Sequence, residues 1–278
     1  MADDKPMDIL KPGEIIKPVL PDSAVEDFVL KLYGFHVKHW KELNSYHDKN
    51  YHVFLNTVES DGPCIARVSP DGYVLKVLNS LESKNPALTE AQHSLMEFLR
   101  EKGIKTQRII RNKSGSTFSV ETVDNNKYDD SRSYIVRLLS YIPGEIFHLM
   151  PYVPKTFYNA GKFAAAMHNA MKDFQHEMFE SFSTVWSLEE IDRLTDFMFV
   201  IKDSADHHLI SSVIQSFKDN VQPKYDMFTR GIIHGDISEQ NLILAELPNQ
   251  DSLPREQRAS EIRGILDFAH ANKSYHIY

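Results

Sequence analysis

Apolar side chains recur every three to four positions between Pro21 and Gly34, which is the spacing of one face of a helix. This apolar face consists of Val25, Phe28, Val29 and Leu32. Ser23 and Glu26 have the spacing of a capping box, and Gly34 can end the helix. Residues 1 to 20, which precede it, are predicted to be a flexible tail.

The pattern changes to short strands after residue 50. Apolar runs at Tyr51 to Leu55 and Tyr73 to Leu78 are separated by the turn sequences Asp61-Gly62-Pro63 and Pro70-Asp71-Gly72. Asn85-Pro86 then opens a helix that ends near residue 103, and further strands are predicted at 117 to 120 and 134 to 139. This order predicts an antiparallel sheet that carries one key helix.

Helical periodicity dominates after Pro143-Gly144. Helices are predicted at residues 157 to 174, 188 to 200 and 206 to 221, and a strand is predicted at Gly264 to Asp267. We therefore expect an α+β fold with two lobes, an N-lobe at 21 to 142 and a mainly helical C-lobe at 143 to 278. A cleft between two lobes is a common place for a ligand.

Composition narrows the class of protein. The chain has 278 residues, 42% of them hydrophobic, with a formal net charge of -8. A negative field repels polyanions, so nucleic acid is not expected as a partner. No apolar stretch is long enough to cross a membrane, no export signal is visible, and the single cysteine, Cys64, excludes an internal disulfide. These features favour a cytoplasmic protein, and they do not indicate its oligomeric state.

The segment RGIIHGDISEQNLIL, residues 230 to 244, holds Asp236 and Asn241 on one loop between two apolar runs. Phosphoryl transfer needs a carboxylate that accepts the proton of the acceptor hydroxyl, oxygen ligands for Mg²⁺, and a cation on the phosphates. Asp236 fits the first role and Asn241 the second. Asp267, which follows another apolar run, is predicted to be the second metal ligand because Mg²⁺ prefers hard oxygen ligands.

A lysine inside an apolar strand supplies the cation. Lys76 lies in the run VLKVL, and a buried lysine needs an acidic partner. Glu90, in the first turns of the helix after Pro86, is predicted to be that partner. The set favours a nucleotide-dependent kinase over a P-loop or dinucleotide-binding protein, since neither glycine motif occurs in the sequence.

HGDISEQN followed by ILDF resembles the aminoglycoside phosphotransferase and choline kinase group, small-molecule kinases with a protein-kinase-like fold. The resemblance runs from about residue 23 to the C-terminus. Within this group, the chain most resembles the members that phosphorylate 5-hydroxy-L-lysine. The segments that carry this resemblance are SYHDKNYHVFLN, YVLKVLNS, SKNPALTEAQ, YIVRLLSYIPGEIF and GILDF. It implies transfer of phosphate from GTP to the hydroxyl group of that amino acid.

The resemblance also implies a role for each matching residue. The implied centre consists of Asp236 as proton acceptor, Asn241 and Asp267 as Mg²⁺ ligands, Lys76 as phosphate contact, Glu90 as its partner and His234 as a structural residue of the loop. Ser45 to Asn50, including both end residues, would lie over the phosphates. The backbone around Ser140, from Leu139 to Tyr141, would meet the base.

Two features depart from the group. Ala269-His270 stands where Gly-Asp is usual, and the chain ends at Tyr278, where members continue into further helices. We therefore expect a truncated C-lobe, an altered metal geometry and exposed apolar surface. The alternative hypothesis is a non-catalytic nucleotide-binding or regulatory form. Choline, ethanolamine or aminoglycosides remain alternative acceptors, and ATP remains an alternative donor. The segment Cys64 to Pro70 is longer than in the group and has no assigned role.

Overall fold

The computed structural model describes residues 14–56, 67–125, 130–184 and 186–276. The strands are β1 Val37–Leu43, β2 Lys49–Leu55, β3 Tyr73–Val77, β4 Ile109–Ile110, β5 Ser119–Asn125, β6 Asp130–Ser140, β7 Glu145–Ile146, β8 Arg230–Ile233, β9 Leu242–Glu246, β10 Ser260–Ile265 and β11 Asn272–Tyr275. The α-helices are α1 Ala24–Tyr33, α2 Pro86–Glu101, α3 Pro154–Met171, α4 Glu177–Ser181 and α5 Ser204–Asn220. Short 3-10 segments include Glu82–Lys84 and Phe147–Leu149. The turn at Asp61-Gly62-Pro63 and Cys64 lie outside the described residues.

The first lobe is an antiparallel sheet, as predicted. Its strands follow the order β1-β2-β3-β6-β4, and β5 pairs with β6. Alternate residues of β3 point to opposite faces of the sheet. Tyr73, Leu75 and Val77 pack with α1, whereas Val74 packs with α2. Lys76 therefore shares the face of the sheet that carries α2.

The two helices of this lobe begin differently. The side chain of Asn85 accepts a hydrogen bond from the amide of Leu88 (3.1 Å), which confirms the predicted start of α2. The predicted capping box of α1 is wrong, because Ser23 has a helical backbone (φ -79°, ψ -7°) and makes no capping bond. An N-cap normally has an extended backbone, which aims its side chain at the free amides. Gly34 ends α1 in a left-handed conformation, as predicted.

The second lobe contains α3, α4 and α5 together with two small sheets, β10-β9-β7 and β11-β8. The predicted helix at Leu188–Val200 is a 3-10 segment rather than an α-helix. Ile191 is its buried residue, while Phe199 and Val200 are exposed, so little packing fixes this segment. The architecture is therefore α+β with two lobes, as the sequence predicted.

One hydrophobic core spans both lobes. Leu95 of α2 belongs to the same buried cluster as Leu139, Ile265 and Phe268. The amide of Ile265 also donates to the carbonyl of Lys105 (3.0 Å). The segment that leads into Asp267 is thus packed directly against the first lobe. No helix in the described residues is both long and apolar enough to span a membrane.

Candidate active site

The loop after β8 presents Asp236 at the end of a tight turn. Gly235 has a left-handed backbone (φ 79°), and a Cβ atom there would lie 2.3 Å from the carbonyl oxygen of His270. A side chain at this position would be strained twice, by its backbone angle and by the collision. Glycine at 235 thus lets Asp236 approach the segment around His270.

His234 holds this loop in place through two hydrogen bonds. Its side chain is fully buried, and burial lowers its pKa to about 4, so the ring is neutral. Its Nδ1 accepts from the amide of Asp236 (3.3 Å), which leaves Nε2 to donate to the carbonyl of Leu266 (3.0 Å). His234 therefore ties the loop of Asp236 to the segment of Asp267, as a structural residue would.

Asn241 is bonded to both parts of the site. Its side-chain nitrogen donates to Oδ2 of Asp236 (2.6 Å), and its backbone carbonyl accepts from the amide of Leu266 (2.8 Å). Because the amide donates through nitrogen, its oxygen is left as the atom that can coordinate a cation. The structure thus bonds Asn241 to Asp236 through their side chains and to Leu266, the residue before Asp267, through the backbone.

Asp267 has a left-handed backbone (φ 53°), which Asp tolerates better than most residues. Oδ1 accepts from the amide of Ala269 (3.3 Å), and Oδ2 accepts from Lys76 (3.0 Å). Burial acts to raise the pKa of Asp267, but the charge and hydrogen bond of Lys76 outweigh it and hold the pKa well below its usual range. The carboxylate is ionised and its side chain is 38% exposed, which suits a ligand for a cation.

The donor set for a metal is small. Within the described ranges, no three His, Cys, Asp or Glu side chains are grouped so that they could hold an ion. The carboxylate of Asp267 and the amide oxygen of Asn241 are hard oxygen donors, the kind that Mg²⁺ prefers. They fit a Mg²⁺ that takes its remaining ligands from phosphate and water.

Lys76 is 5% exposed and lies between two carboxylates. Its Nζ is 3.0 Å from Oδ2 of Asp267 and 3.0 Å from Oδ2 of Asp48. Burial alone would lower the pKa of Lys76, but these two charges outweigh it and raise the pKa above its ordinary value. The lysine is therefore a fixed, charged ammonium.

The predicted ion pair between Lys76 and Glu90 is wrong. Glu90 is exposed on α2, and its backbone carbonyl accepts from Ser94. The loop between β1 and β2 instead brings Asp48 to Lys76. With a carboxylate on each side, Lys76 is already paired without the helix.

The other residues predicted to contact the nucleotide are Ser45, Asn50 and Ser140, and they lie in different parts of the first lobe. The hydroxyl of Ser45 donates to the carbonyl of Asp48 (2.6 Å), and Asn50 on β2 is the cross-strand neighbour of Lys76 with its side-chain oxygen buried and unbonded. Ser140 is bonded to the segment just before β4: its amide donates to the carbonyl of Arg108 (2.8 Å), and its carbonyl accepts from the side chain of Gln107 (3.1 Å). The carbonyl of Ser140 thus has one lone pair left for a base.

The sequence analysis did not identify Arg137, His93 or Asp48 as part of the polar cluster around Lys76. Arg137 on β6 is the other cross-strand neighbour of Lys76 and is 3% exposed, with Nη1 2.9 Å from Nε2 of buried His93. A charged residue inside the apolar run 134 to 139 is the same signal that identified Lys76. Asp48 gave no such signal, because loop geometry decides where it points.

Replacing Glu82 by Gln is expected to stabilise the protein above pH 7. Partial burial, helped by the charge of Asp48, raises the pKa of Glu82 from 4.5 to about 7. The ionised form is thus penalised in the folded state, so this group costs stability as pH rises from about 4.5 to 7. Gln keeps the acceptor for Asn79 and removes that cost. Thermal unfolding at pH 8 should shift upward by roughly 2 to 4 °C.

The gain should fade toward pH 5, where Glu82 is protonated. Glu101→Gln, an exposed acid at the end of α2, serves as the control and should shift neither midpoint. A gain for Glu82→Gln that is equal at pH 5 and pH 8 would contradict the assignment of the cost to ionisation.

Two cavities flank the loop that carries Asp236. The first has a volume of about 250 Å³ and is lined by Asp236, Ile237, Trp186, Ser187, His270 and Asn272. The second, of about 440 Å³, is lined by the aromatic rings of Phe147, Tyr152 and Phe157 together with Glu239. Asp236 lines the first of these two cavities, so that cavity can present a hydroxyl group to its carboxylate.

Comparisons with known proteins find relatives that match most of this chain. Hydroxylysine kinase of Bos taurus is 28% identical over 269 residues, which are 95% of this chain and 68% of that protein. The structure of an amicoumacin kinase in complex with AMP-PNP, Ca²⁺ and Ami matches with a TM-score of 0.57 at 15% identity, over 92% of this chain and 66% of that one. A microcompartment-associated aminopropanol kinase matches with a TM-score of 0.52 at 15% identity, over 91% and 71%.

The two structural matches show a kinase-like fold. The chain spans about two thirds of the length of these relatives. A family model described as the phosphotransferase enzyme family matches residues 58–274, which is most of the chain. On this match, and with the fold and loop geometry in agreement, the chain belongs to the phosphotransferase enzyme family.

Proposed function

We propose that the protein transfers the γ-phosphoryl group of GTP, with Mg²⁺, to the hydroxyl group of 5-hydroxy-L-lysine in the cytoplasm. As a family member, the chain is a small-molecule phosphotransferase with an alcohol acceptor. The observation that carries the finer proposal is the continuous set of bonds from Asp236 through Asn241 to the segment of Asp267 and on to Lys76. The similarity to hydroxylysine kinase supports the choice of acceptor.

The residues divide the work as phosphoryl transfer requires. Asp236 accepts the proton of the acceptor hydroxyl, while Asn241 and Asp267 would hold Mg²⁺, which neutralises phosphate charge when it is bound. Lys76 contacts the phosphates, and the loop from Ser45 to Asn50 covers them. The proposed N-lobe spans 21 to 142 and the proposed C-lobe spans 143 to 278. The nucleotide base would contact the backbone around Ser140.

The cavity beside Asp236 supports a small acceptor. Its 250 Å³ is less than the roughly 300 to 1,000 Å³ of sites for drug-sized ligands. An aminoglycoside of several rings exceeds that space, whereas an amino acid fits it. Trp186, a residue that is 65% exposed, lines the cavity, and an indole face attracts an ammonium group.

A substrate panel tests the function. Purified protein with Mg²⁺ is incubated with GTP or ATP and one acceptor at a time: 5-hydroxy-L-lysine, choline, ethanolamine or an aminoglycoside. We expect phosphorylated hydroxylysine, with GTP preferred by its kcat/KM. Choline or an aminoglycoside as the better acceptor would refute the proposed substrate and leave the reaction class intact.

A second candidate function is a nucleotide-binding protein without turnover. The observation that favours it is Ala269-His270, at a position where the group usually has Gly-Asp. Thermal stabilisation by Mg-GTP without transfer to any acceptor would support this candidate. Turnover that depends on Asp236 would exclude it.

A further inference from the structure

We propose that Asp48, on the loop between β1 and β2, is the positioning residue that orients Lys76 toward the phosphates, a task that the sequence assigned to Glu90. The inference rests on the proposed function of this site. It names a different carboxylate, on a different element, from the helix glutamate of the kinase template.

The contact between Asp48 and Lys76 is buried on both sides. Asp48 is 7% exposed and Lys76 is 5% exposed, and their charged atoms are 3.0 Å apart. A buried charge without a partner is costly, so each of these groups holds the other in place. Glu90 is exposed on α2 and forms no ion pair in the part of the chain that the structure describes.

Hydrogen bonds from Asn79 fix the carboxylate of Asp48. Its Oδ1 accepts from both the amide (2.8 Å) and the side-chain nitrogen (2.9 Å) of Asn79, which leaves Oδ2 for Lys76. The side-chain oxygen of Asn79 accepts from the amides of Leu81 and Glu82, so Asn79 is itself held by the next turn of the chain. Asp48 is therefore aimed at Lys76 by the fold.

The same network holds the loop over the phosphate site. Ser45 donates its hydroxyl to the carbonyl of Asp48 (2.6 Å), and Lys17 donates to the carbonyl of Ser45 (2.7 Å). Asp48 thus joins the covering loop to the cation that contacts the phosphates. The loop is bonded through the backbone carbonyl of Asp48, and the cation is held through its side chain.

The geometry leaves Lys76 ready for a phosphate oxygen. An ammonium group has three donors, and Lys76 has two carboxylate partners, Asp267 by a hydrogen bond and Asp48 by an ion pair, so at least one donor is left. Without the carboxylate of Asp48, Lys76 would be attracted by Asp267 alone, the carboxylate that a Mg²⁺ needs. The two-sided hold therefore keeps the lysine centred and leaves its third donor for the nucleotide.

The test compares Asp48→Asn with Glu90→Gln and with the exposed control Glu101→Gln. We expect Asp48→Asn to raise the KM for the nucleotide at least tenfold and to lower kcat, with the KM for hydroxylysine within twofold of the wild-type value. Asp48→Glu restores the charge and should recover part of the affinity. Glu90→Gln should match the control. A nucleotide KM that is unchanged in Asp48→Asn, or raised equally in Glu90→Gln, would overturn the inference.

Calorimetric titration with Mg-GTP separates this inference from the proposed function, because binding needs no turnover. If the wild-type protein binds Mg-GTP but transfers nothing, and Asp48→Asn binds it more weakly, only the proposed function is refuted. Equal binding by both proteins would remove only the role of Asp48, and a wild-type protein that binds no nucleotide would remove both. Matched circular dichroism spectra establish that each variant is folded.

Discussion

Asp236→Asn is expected to lower kcat by a factor of about 10² to 10⁴, the usual contribution of a positioned general base. The amide cannot accept the proton of the acceptor hydroxyl at neutral pH. The replacement has the same shape, and its oxygen can still accept from Asn241, which now bonds to Asp236 at 2.6 Å. Affinity for Mg-GTP should therefore stay near the wild-type value, and steady-state kinetics with calorimetric titration would measure both quantities.

The control for this prediction is Asp251→Asn, an exposed loop residue whose backbone carbonyl makes its contact to Arg258. It should leave kcat unchanged. Residual activity of Asp236→Asn within threefold of wild type would mean that another group accepts the proton, and the catalytic assignment of Asp236 would be wrong.

Lys76→Met is expected to cost both stability and nucleotide affinity. Removing one member of a buried ion pair leaves an uncompensated charge, which typically costs about 3 to 5 kcal/mol. Here two carboxylates, Asp48 and Asp267, would lose their shared cation. Urea unfolding should show a lower midpoint at pH 7, and Mg-GTP should no longer raise the unfolding temperature.

The loss of stability in Lys76→Met should depend on pH. Lys76 holds the folded pKa of Asp267 below its ordinary value of 3.8, so this stabilisation is present above about pH 4 and fades as pH falls through the lower folded pKa. The difference from wild type should thus shrink in acid. Lys102→Met removes an exposed ion pair with Asp173 and should cost less than about 1 kcal/mol. Equal losses in the two variants would contradict a buried, paired Lys76.

The chemistry that lies within one stretch of chain could be predicted from the sequence. Asp236 and Asn241 share one short loop between apolar strands, so their proximity follows from the local chain. Lys76 stood out as a charge inside an apolar strand. Its partner could not be predicted, because helical periodicity gives the buried face of α2 but not which carboxylate lies nearest to Lys76. Asp48 comes from a loop, whose course depends on the hydrogen bonds of Asn79.

The fold shows the same division. Strands and helices with a clear apolar period, such as β3 and α2, lie where the sequence predicted them. Strand β1, Val37–Leu43, was missed because it is an edge strand without a fully buried residue, so its sequence does not alternate. The segment Leu188–Val200 has a helical period but buries little, and the period alone does not distinguish a 3-10 segment from an α-helix.

The ion pair between Lys76 and Asp267 joins residues that are 191 positions apart. At about 5 to 20 residues per second, a ribosome needs about 10 to 40 seconds to add that length. Asp48 lies only 28 residues before Lys76, so it is synthesised before Lys76 and long before Asp267. Lys76 can therefore pair with Asp48 during synthesis, before Asp267 has been added to the chain.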